Sequence, residues 1–572
     1  MKLDATIWGS LWLCCLAGGC GDDAVAADGG STTADGSTSA SSTETPTTQA
    51  PTTETLDPGS TSTAADDDGS STRTGSTSES SGEETGSPDR TPPSVVIATP
   101  RPGAGVSSRL WTFEGTVTDD VSVASLVFAG PNGDEAVEVM DDGSFSHRVT
   151  LQPGEHAYTF VGEDGAGNQG EVSVPVHFGH RTSVGNSQGA FLRDGVLWTW
   201  GRNELGQLGN GTLEGSGWGD EPETAELPVR YAIDVDGLLS VVNRQTFMLG
   251  LREDGTVLSW GSNASRQLGR ETAADCGSGG TSPCGRSPAP VPGVDQAVAI
   301  GAGFGHALVL REDGSVWTFG DNGYGQLGAD TGGEPRLAAG VVEGLTGIIQ
   351  VAAASDASYA LAEGGTVYAW GENDRGQLGR GTADDVAHPD PQAVLGLEDV
   401  VQVAAANTTA FALLADGTVR AWGRNHAGQA GIGDDTGADV MSPTVVVTAD
   451  GMPLGGVVSV AGDGFVGLAV TDDGVAYAWG LGSLGQLGQG FLEGGERDLG
   501  NRVYASPVAV EDDDVEVFDI LELEGGAGGP SLALSVDGHL FGWGWSFRGS
   551  LGLEGAINAW AYTAPVLVFA AD

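Results

Sequence analysis

Side chains that could do covalent or metal chemistry are few, and their spacing does not form a catalytic set. Gly185-Asn-Ser-Gln-Gly189 matches the Gly-x-Ser-x-Gly elbow of serine hydrolases, but that elbow needs a helix after its turn, and no helical pattern follows. Lys2 is the only lysine, which excludes Schiff-base and phosphate-loop lysines from the rest of the chain. The eight histidines show no metal-ligand spacing, and His306 is interpreted as structural. We expect no catalytic residue, no metal and no cofactor.

Cys20 is the candidate lipidation site. An apolar run from Ile7 to Gly18 leads into Leu16-Ala-Gly-Gly-Cys20, which looks like a signal peptide with a lipoprotein cleavage box. The run is too short to span a bilayer. An ordinary signal peptide cut nearby is the alternative, and either interpretation predicts export. We take residues 1–20 as the leader and expect any membrane attachment to depend on this lipid.

Cys276 and Cys284 are the only cysteines after the leader, and they lie in one Gly- and Ser-rich loop. An exported chain meets an oxidising compartment, which favours a local disulfide. Closing so short a loop stabilises a fold by about 2–3 kcal/mol in the chain-entropy model. Two cysteines without further soft ligands make a poor zinc site.

Residues 21–91 are dominated by Ser, Thr, Gly, Asp and Glu. Such a composition cannot bury enough apolar surface to offset the entropy of ordering. The pattern predicts a disordered linker, which would hold the following domains away from a membrane.

Residues 92–178 contain seven short alternating segments separated by turn signals, a pattern that predicts a β-sandwich. Pro92-Pro93, Gly115-Thr-Val-Thr-Asp119 and Asp164-Gly-Ala-Gly-Asn168 resemble the corresponding motifs of bacterial immunoglobulin-like domains. The resemblance implies a rigid spacer or an adhesive unit.

A calcium site in this sandwich is the alternative to a metal-free chain. Asp119, Asp120 and Asp164 supply carboxylates near predicted turns. They lack EF-hand spacing, and acidic residues are common in turns. We therefore predict no metal here.

One sixteen-residue pattern, Asp-Gly…Trp-Gly…Gly-Gln-Leu-Gly, is repeated seven times with variations, and Asp313–Gly328 is a clear copy. The glycine after the central aromatic residue recurs at intervals of 51 to 64 residues, which indicates a repeat array. The Asp-Gly pair predicts a type I′ hairpin turn, and the later glycine predicts a close backbone approach or a bend. These later glycines are Gly201, Gly261, Gly320, Gly371, Gly423, Gly480 and Gly544.

Each full repeat contains four short strands with no helical period between them, and in the fourth repeat the predicted strands are Ala339–Val342, Ile348–Ala353, Ser358–Leu361 and Thr366–Trp370. Four strands repeated seven times predict an all-β fold, a seven-bladed β-propeller over residues 179–572. The Ala-Gly-rich strand, the Asp-Gly pair and Trp-Gly-x-Asn-x-x-Gly-Gln-Leu-Gly resemble the regulator of chromosome condensation repeat family, most clearly over Ile300–Gly328 and Val351–Gly379. The family fold is a seven-bladed propeller, so the resemblance implies the same fold.

The two ends of the repeat region predict how the ring closes. The first copy begins at Thr182 without a Pro-Val strand before it, and the chain finishes with Ala564-Pro-Val-Leu-Val-Phe569. We predict that this last strand completes the first blade, which would protect the terminal edges.

The spacers after each Gly-Gln-Leu-Gly point to protein binding. They vary in length and fall on one face of the predicted disc, where a rigid scaffold usually carries its binding residues. Large aromatic residues in such loops can anchor a partner. The candidate protein-binding residues are Trp218, Phe491, Tyr504 and Trp560. The formal net charge of −54 repels phosphate backbones, so we expect no nucleic-acid partner.

These observations predict an exported, lipid-anchored protein of the cell envelope, a monomer whose propeller binds a protein partner without catalysis. The first alternative, implied by the family, is an exchange factor for a small GTPase, which a cytoplasmic location would support. The second is an envelope hydrolase or lyase working in the central channel, which a cluster of inward-facing acids would support.

Overall fold

A computed structural model describes residues 89–130, 133–185, 187–215, 230–277, 281–490, 497–508, 519–526, 529–546, 549–553 and 561–571. Its named elements are all β-strands, so the all-β prediction is confirmed. Within these ranges no helix has the length and apolar character needed to cross a membrane. The leader with Cys20 and nearly all of the predicted linker lie outside the described residues.

Residues 94–178 form two facing sheets, which we call the sandwich. Its strands are β1 (Ser94–Thr99), β2 (Ala104–Val106), β3 (Leu110–Thr118), β4 (Val123–Gly130), β5 (Gly133–Ala136), β6 (Ser144–Thr150), β7 (Gly154–Asp164) and β8 (Gln169–Phe178). One sheet has the order β1-β3-β6 and the other β2-β8-β7-β4-β5. Alternate residues of each strand point between the sheets, where Phe113 and Phe160 are fully buried with ring centroids 5.4 Å apart.

The remaining strands form seven sheets, each made of consecutive strands, which we call blades 1 to 7. Blade 1 contains β9 (Thr182–Val184), β10 (Gln188–Arg193), β11 (Val196–Gly201) and β12 (Tyr231–Ile233). Blade 2 contains β13 (Leu238–Arg244), β14 (Phe247–Arg252), β15 (Val257–Ser262), β16 (Ala274–Cys276) and β17 (Ser282–Pro290). Blade 3 contains β18 (Ala297–Ala302), β19 (His306–Arg311), β20 (Val316–Gly320) and β21 (Arg336–Val341). Blade 4 contains β22 (Ile348–Ala353), β23 (Ala357–Ala362), β24 (Val367–Asn373) and β25 (Asp384–Ala393).

The last three blades follow the same plan. Blade 5 contains β26 (Val400–Ala405), β27 (Thr409–Leu414), β28 (Val419–Gly423) and β29 (Val440–Val445). Blade 6 contains β30 (Val457–Asp463), β31 (Val466–Thr471), β32 (Ala476–Gly480) and β33 (Arg502–Pro507). Blade 7 contains β34 (Ile520–Gly525), β35 (Pro530–Ser535), β36 (Leu540–Trp545) and β37 (Ala561–Phe569).

The predicted boundaries between blades are wrong by one strand, as the observed strand pairing shows. The segment Ala339–Val342 was predicted to open the fourth blade, but β21 pairs with β20 through Trp317↔Val341 and closes blade 3. The first strand of each blade is therefore the Ala-Gly-rich strand, and it lines the axis of the ring. In blade 4 this strand is β22. A repeat period fixes the order of strands but not the strand at which a blade begins.

The Asp-Gly turns match the predicted type I′ geometry in the first copy and differ from it in the third. Asp194 and Gly195 both have positive φ, 51° and 75°, as a type I′ turn requires. In the third copy only Gly314 does, at 76°, and Asp313 Oδ1 accepts the N–H of Ser315 at 3.0 Å. A type I turn followed by a left-handed glycine fits this pattern, because the aspartate side chain caps the turn and needs no left-handed conformation.

A repeated indole hydrogen bond joins neighbouring blades. Trp422 Nε1 donates to the backbone oxygen of Gln377 in blade 4 at 2.9 Å, and Trp260, Trp370, Trp479 and Trp543 make the same bond. Trp200 of blade 1 donates to the Ser550 oxygen of blade 7, also at 2.9 Å. The last blade thus meets the first, and the sheets form a closed ring.

The predicted closing strand is wrong. β37 pairs with β36 through Gly542↔Val566 and is the outer strand of blade 7. Blade 1 has its own fourth strand, because Leu197 of β11 pairs with Ile233 of β12. Each fourth strand follows its own Trp-Gly strand across a spacer, and β37 obeys the same rule.

Candidate protein-binding face

The ring has two faces with different chemistry. The Asp-Gly face carries the turns between the second and third strands, such as Asp313–Gly314. The opposite face, which we call the Gln-Leu-Gly face, carries the turns between the first and second strands and the loops after the third, such as Gly325–Gly328. All spacers begin on the second face.

The sandwich sits on the Asp-Gly face and closes the axial channel there. Gln350 Nε2 of blade 4 and Gln402 Nε2 of blade 5 donate to Ser107 Oγ at 2.8 and 2.9 Å. Arg109 N donates to the Ile349 oxygen at 2.9 Å. The segment that carries Ser107 follows β2 directly, so one edge of the sandwich lies across the channel mouth.

The space left in the channel does not favour an enzyme. The cavity measures about 130 Å³ and is lined by the innermost strands together with Ser107, whereas ligand sites usually need roughly 300–1,000 Å³. Among the described residues that line the cavity, two are acids, and each contacts a basic side chain. Glu522 contacts Arg181 at 2.9 Å and Glu524 contacts His180 at 2.8 Å. Although burial opposes it, the Arg181 charge lowers the pKa of Glu522, and a general acid would need the opposite shift.

An acidic group lies on the Gln-Leu-Gly face between blades 3 and 4. Burial raises the pKa of Asp356 to about 6, and the charge of Asp321 adds to this shift. Burial, followed by the charges of Asp374 and Asp356, raises the pKa of Glu372 to about 8. Tyr324 stands beside them with 38% of its surface exposed, and chiefly Glu372 raises its pKa. Strongly shifted carboxyl groups are a common mark of functional sites.

The backbone of the repeat positions this acidic group. Asp321 and Glu372 each follow the Trp-Gly-type glycine directly, and Asp356 occupies the turn between β22 and β23. Gln326 Nε2 reaches across to Asp356 Oδ1 at 3.1 Å. Sequence reasoning looked at the spacers and missed these residues. The available signal was the variable position after each glycine, which carries Arg202, Ser262, Asp321, Glu372, Arg424, Leu481 and Trp545.

Aromatic rings and cations occupy other parts of the same face. The Arg244 guanidinium lies 5.8 Å from the ring centroid of Phe304, and that of Arg424 lies 5.4 Å from Phe465. His426 meets Phe465 edge-on at 5.6 Å. Both phenylalanines are half-buried. The face therefore offers acidic, basic and aromatic groups on one rigid frame.

The residues predicted to bind a partner have different outcomes. Trp218, Phe491 and Trp560 lie outside the described residues. Tyr504 is half-buried within β33, where its backbone bridges to Ile432 of the preceding blade. Tyr504 thus belongs to an outer strand and not to a loop.

The remaining chemical candidates are structural. Cys276 and Cys284 form a disulfide that joins β16 to β17. His306 is fully buried, its Nε2 is 3.0 Å from Ser358 Oγ, and burial lowers its pKa to about 3. Ser187, the serine of the elbow-like motif, is fully buried and is followed by strand β10. None of these positions presents a reactive group to solvent.

Two of the three acids considered for calcium, Asp119 and Asp164, lie close together in the sandwich, and the third member of the group is Asp89 and not Asp120. Asp89 joins Asp119 and Asp164, and one carboxylate oxygen of each lies within 4.8 Å of the others. Asp164 Oδ1 accepts the N–H groups of Ala166 and Asn168, both at 2.8 Å. These bonds make Asp164 a turn-forming residue, and we assign no metal to the group.

Glu372→Gln should make the propeller more stable at alkaline pH. An unfolded glutamate titrates near pH 4.3, whereas folded Glu372 keeps its proton up to about pH 8. The folded state therefore binds more protons in this interval, and its stability falls as pH rises through it. We expect the variant to melt higher than the parent at pH 8.5 and equally at pH 4.5, measured by calorimetry. The exposed Glu343→Gln is the control, and an identical gain there would contradict the assignment.

A closed ring of β-sheets, with a domain on one face and variable charged and aromatic groups on the other, defines a β-propeller. The RCC1-like domain family matches residues 162–527, which is more than half of the chain. The chain belongs to the RCC1-like domain family. The predicted resemblance to chromosome-condensation-regulator repeats is confirmed.

Individual relatives agree with this assignment. The ultraviolet-B receptor UVR8 of Arabidopsis thaliana is 27% identical over 396 residues, covering 68% of this chain and 82% of the receptor. The human E3 ubiquitin-protein ligase HERC2 is 30% identical over 315 residues, which is 54% of this chain but only 6% of the ligase. Among solved structures, human WBSCR16 aligns with a TM-score of 0.53 at 23% identity, covering 66% of this chain and 94% of that one. Yeast RCC1 (Prp20), in its complex with Kap60, gives 0.52 at 22% identity, covering 68% and 85%.

The sandwich has a separate similarity. Residues 93–179 match the family described as glucodextranase, domain B. This similarity covers the sandwich only, whereas the match to the RCC1-like domain family covers most of the propeller.

Proposed function

We propose that the chain is a non-catalytic scaffold that binds a protein partner through the Gln-Leu-Gly face of its propeller. The observation that carries this proposal is the position of the sandwich, which covers the channel mouth on the Asp-Gly face. The opposite face keeps Tyr324, the shifted carboxyl groups and the half-buried phenylalanines. Rigid scaffolds with aromatic anchors and charged surroundings are typical protein-binding surfaces.

The cellular setting of this proposal comes from the sequence. A leader ending at Cys20, followed by a linker of low hydrophobicity, favours an exported protein tethered to the cell envelope by a lipid. The net charge of −54 disfavours nucleic acid and places a protein with cationic groups among the partners that such a surface would attract. The yeast RCC1 structure in complex with Kap60 is one example of a propeller of this fold with a bound partner.

Family membership supports a second candidate, an exchange factor for a small GTPase. Export and GTPase regulation require different compartments, so location separates them. Fractionation of cells producing the full chain should place it in the envelope, and recovery in the cytoplasm would favour the exchange factor.

Capture from envelope extract tests the binding face. We would compare the intact chain with Tyr324→Ala/Glu372→Gln on the acidic group and with Trp218→Ala/Phe491→Ala/Trp560→Ala in the spacers. Leu395→Ala, 65% exposed beyond the end of β25, is the matched control. We expect a protein, identified by mass spectrometry, whose recovery falls at least tenfold in one face variant and is unchanged in the control. Equal recovery in all four samples would contradict the proposal.

A further inference from the structure

We propose that the sandwich is the clasp that holds the propeller ring closed. In this role it joins the first blade to the last and braces that junction against blades on the far side of the axis. This function is independent of any partner and differs from the spacer role that the sequence implied.

The junction between blades 1 and 7, which we call the seam, has no shared strand among the described ladders. All seven sheets are built from consecutive strands, so the seam depends on side chains. Trp200 donates to the Ser550 oxygen, and Arg230 Nε donates to the Gly552 oxygen at 2.9 Å. Phe569 lies 5.3 Å from Phe191 between ring centroids. At every other junction the chain itself passes from one blade to the next, so the seam is the place where the ring can open.

The sandwich is attached to blade 1 with almost no slack. β8 ends at Phe178 and β9 begins at Thr182, so three residues join the two domains. Within this connection His180 N donates to Ser240 Oγ of blade 2 at 2.9 Å, and the Val241 N–H donates to the His180 oxygen at 3.0 Å. Any group of the sandwich that binds blade 7 therefore ties blade 7 to blade 1.

Two arginines make that tie. Arg181 Nε contacts Glu522 Oε1 of β34 at 2.9 Å, and its Nη2 donates to the Gly103 oxygen of the sandwich at 2.8 Å. Glu522 is only 8% exposed, so its charge depends on this partner. Arg101, in the sandwich, contacts Asp519 beside β34 at 2.8 Å and also donates to the Asp472 oxygen of blade 6. The contacts of Arg181 and Arg101 thus hold the sandwich against blade 7.

The far side of the sandwich is anchored as well, so it cannot rotate away from the seam. Arg109 Nη1 donates to the Glu312 oxygen of blade 3 at 2.5 Å, and Arg148 Nη2 donates to the Glu363 oxygen of blade 4 at 2.8 Å. The two glutamine bonds to Ser107 lie between these points. A domain fixed on both sides of the axis resists the outward movement of blade 7 that opening requires.

Hydrogen exchange of the full chain, followed by mass spectrometry, tests the clasp because it reports local opening. Arg101→Ala removes a surface contact and leaves the buried core intact. We expect amide exchange in β9 and β34 to become at least tenfold faster, while β22 of blade 4 keeps its parental rate. Arg181→Ala, which leaves Glu522 buried without this partner, should give a larger acceleration at the same two strands.

Arg311→Ala is the matched control, because it breaks a surface pair of the ring, Arg311 Nη2 to Asp295 Oδ1 at 2.6 Å, that does not involve the sandwich. Its β9 and β34 should exchange at the parental rate. An Arg101→Ala variant whose seam exchange stays within twofold of the parent would overturn the proposal. Equal acceleration of the seam in Arg311→Ala, or acceleration confined to the sandwich strands, would overturn it too.

Discussion

Trp200→Ala should lower the free energy of unfolding by about 4 kcal/mol, the range measured for a buried tryptophan reduced to alanine. Trp200 is fully buried at the seam. Its indole occupies the space above Gly189, where a methyl group would lie 2.3 Å from Cζ2. The substitution leaves a cavity and removes the hydrogen bond that Trp200 Nε1 donates to the Ser550 oxygen. Denaturant unfolding followed by tryptophan fluorescence measures the loss.

Trp422→Ala is the control for position in the ring. Trp422 is equally buried and makes the equivalent bond to the Gln377 oxygen, but the chain itself joins blades 4 and 5. We expect a smaller loss of unfolding free energy there, because the covalent connection keeps the two blades together. A Trp200→Ala variant that lost less than about 1 kcal/mol would show that the seam is not packed as described.

Gly320→Ala should cost about 3 kcal/mol or more, through left-handed strain together with a backbone clash. Gly320 has φ of +104°, and an added methyl group would lie 2.3 Å from the Gly305 oxygen and 2.8 Å from the His306 Cα. Both obstacles are backbone atoms of the neighbouring hairpin strand, so neither can rotate away. Thermal unfolding of the purified variant, or its failure to accumulate in soluble form, records the effect.

Gly344→Ala separates strain from clash. Gly344 also has positive φ, +82°, but nothing lies within 4 Å of its added methyl group. It should lose about 1 kcal/mol, the cost of the left-handed conformation alone. Equal losses at Gly320 and Gly344 would contradict a packing role for the glycine that follows the central aromatic residue of the repeat.

The sequence predicted the features that repeat and missed those that do not. Trp422 and Gly423 recur in register, so periodicity alone indicated a ring of similar sheets. The same periodicity could not place blade boundaries, because shifting the start by one strand leaves every spacing unchanged. It therefore assigned β37 to blade 1, whereas pairing with β36 places it in blade 7.

The candidate site escaped prediction for a related reason. Asp321 and Glu372 come from adjacent repeats, and Asp356 comes from a turn more than thirty residues after Asp321. Each is unremarkable in a chain with 78 acidic residues. Only the ring geometry brings them together and buries Asp356 and Glu372, which raises the pKa of these two carboxyl groups. The hydrogen bonds from Gln350 and Gln402 to Ser107 could not be predicted either. No local sequence pattern indicates that an edge of the sandwich contacts two inner strands of the propeller.

Blades built from consecutive strands also shape how such a ring can evolve. Each blade begins and ends within one uninterrupted stretch of sequence, as blade 4 does between β22 and β25. Duplication or loss of one such stretch adds or removes a whole blade with all its ladders intact. A ring that shares a strand between its ends has one composite blade and lacks that freedom at its terminal repeats. In this chain the terminal blades are as complete as the inner ones, so short connections between blades, such as 342–347, are positions where a blade could be added or lost without breaking a ladder.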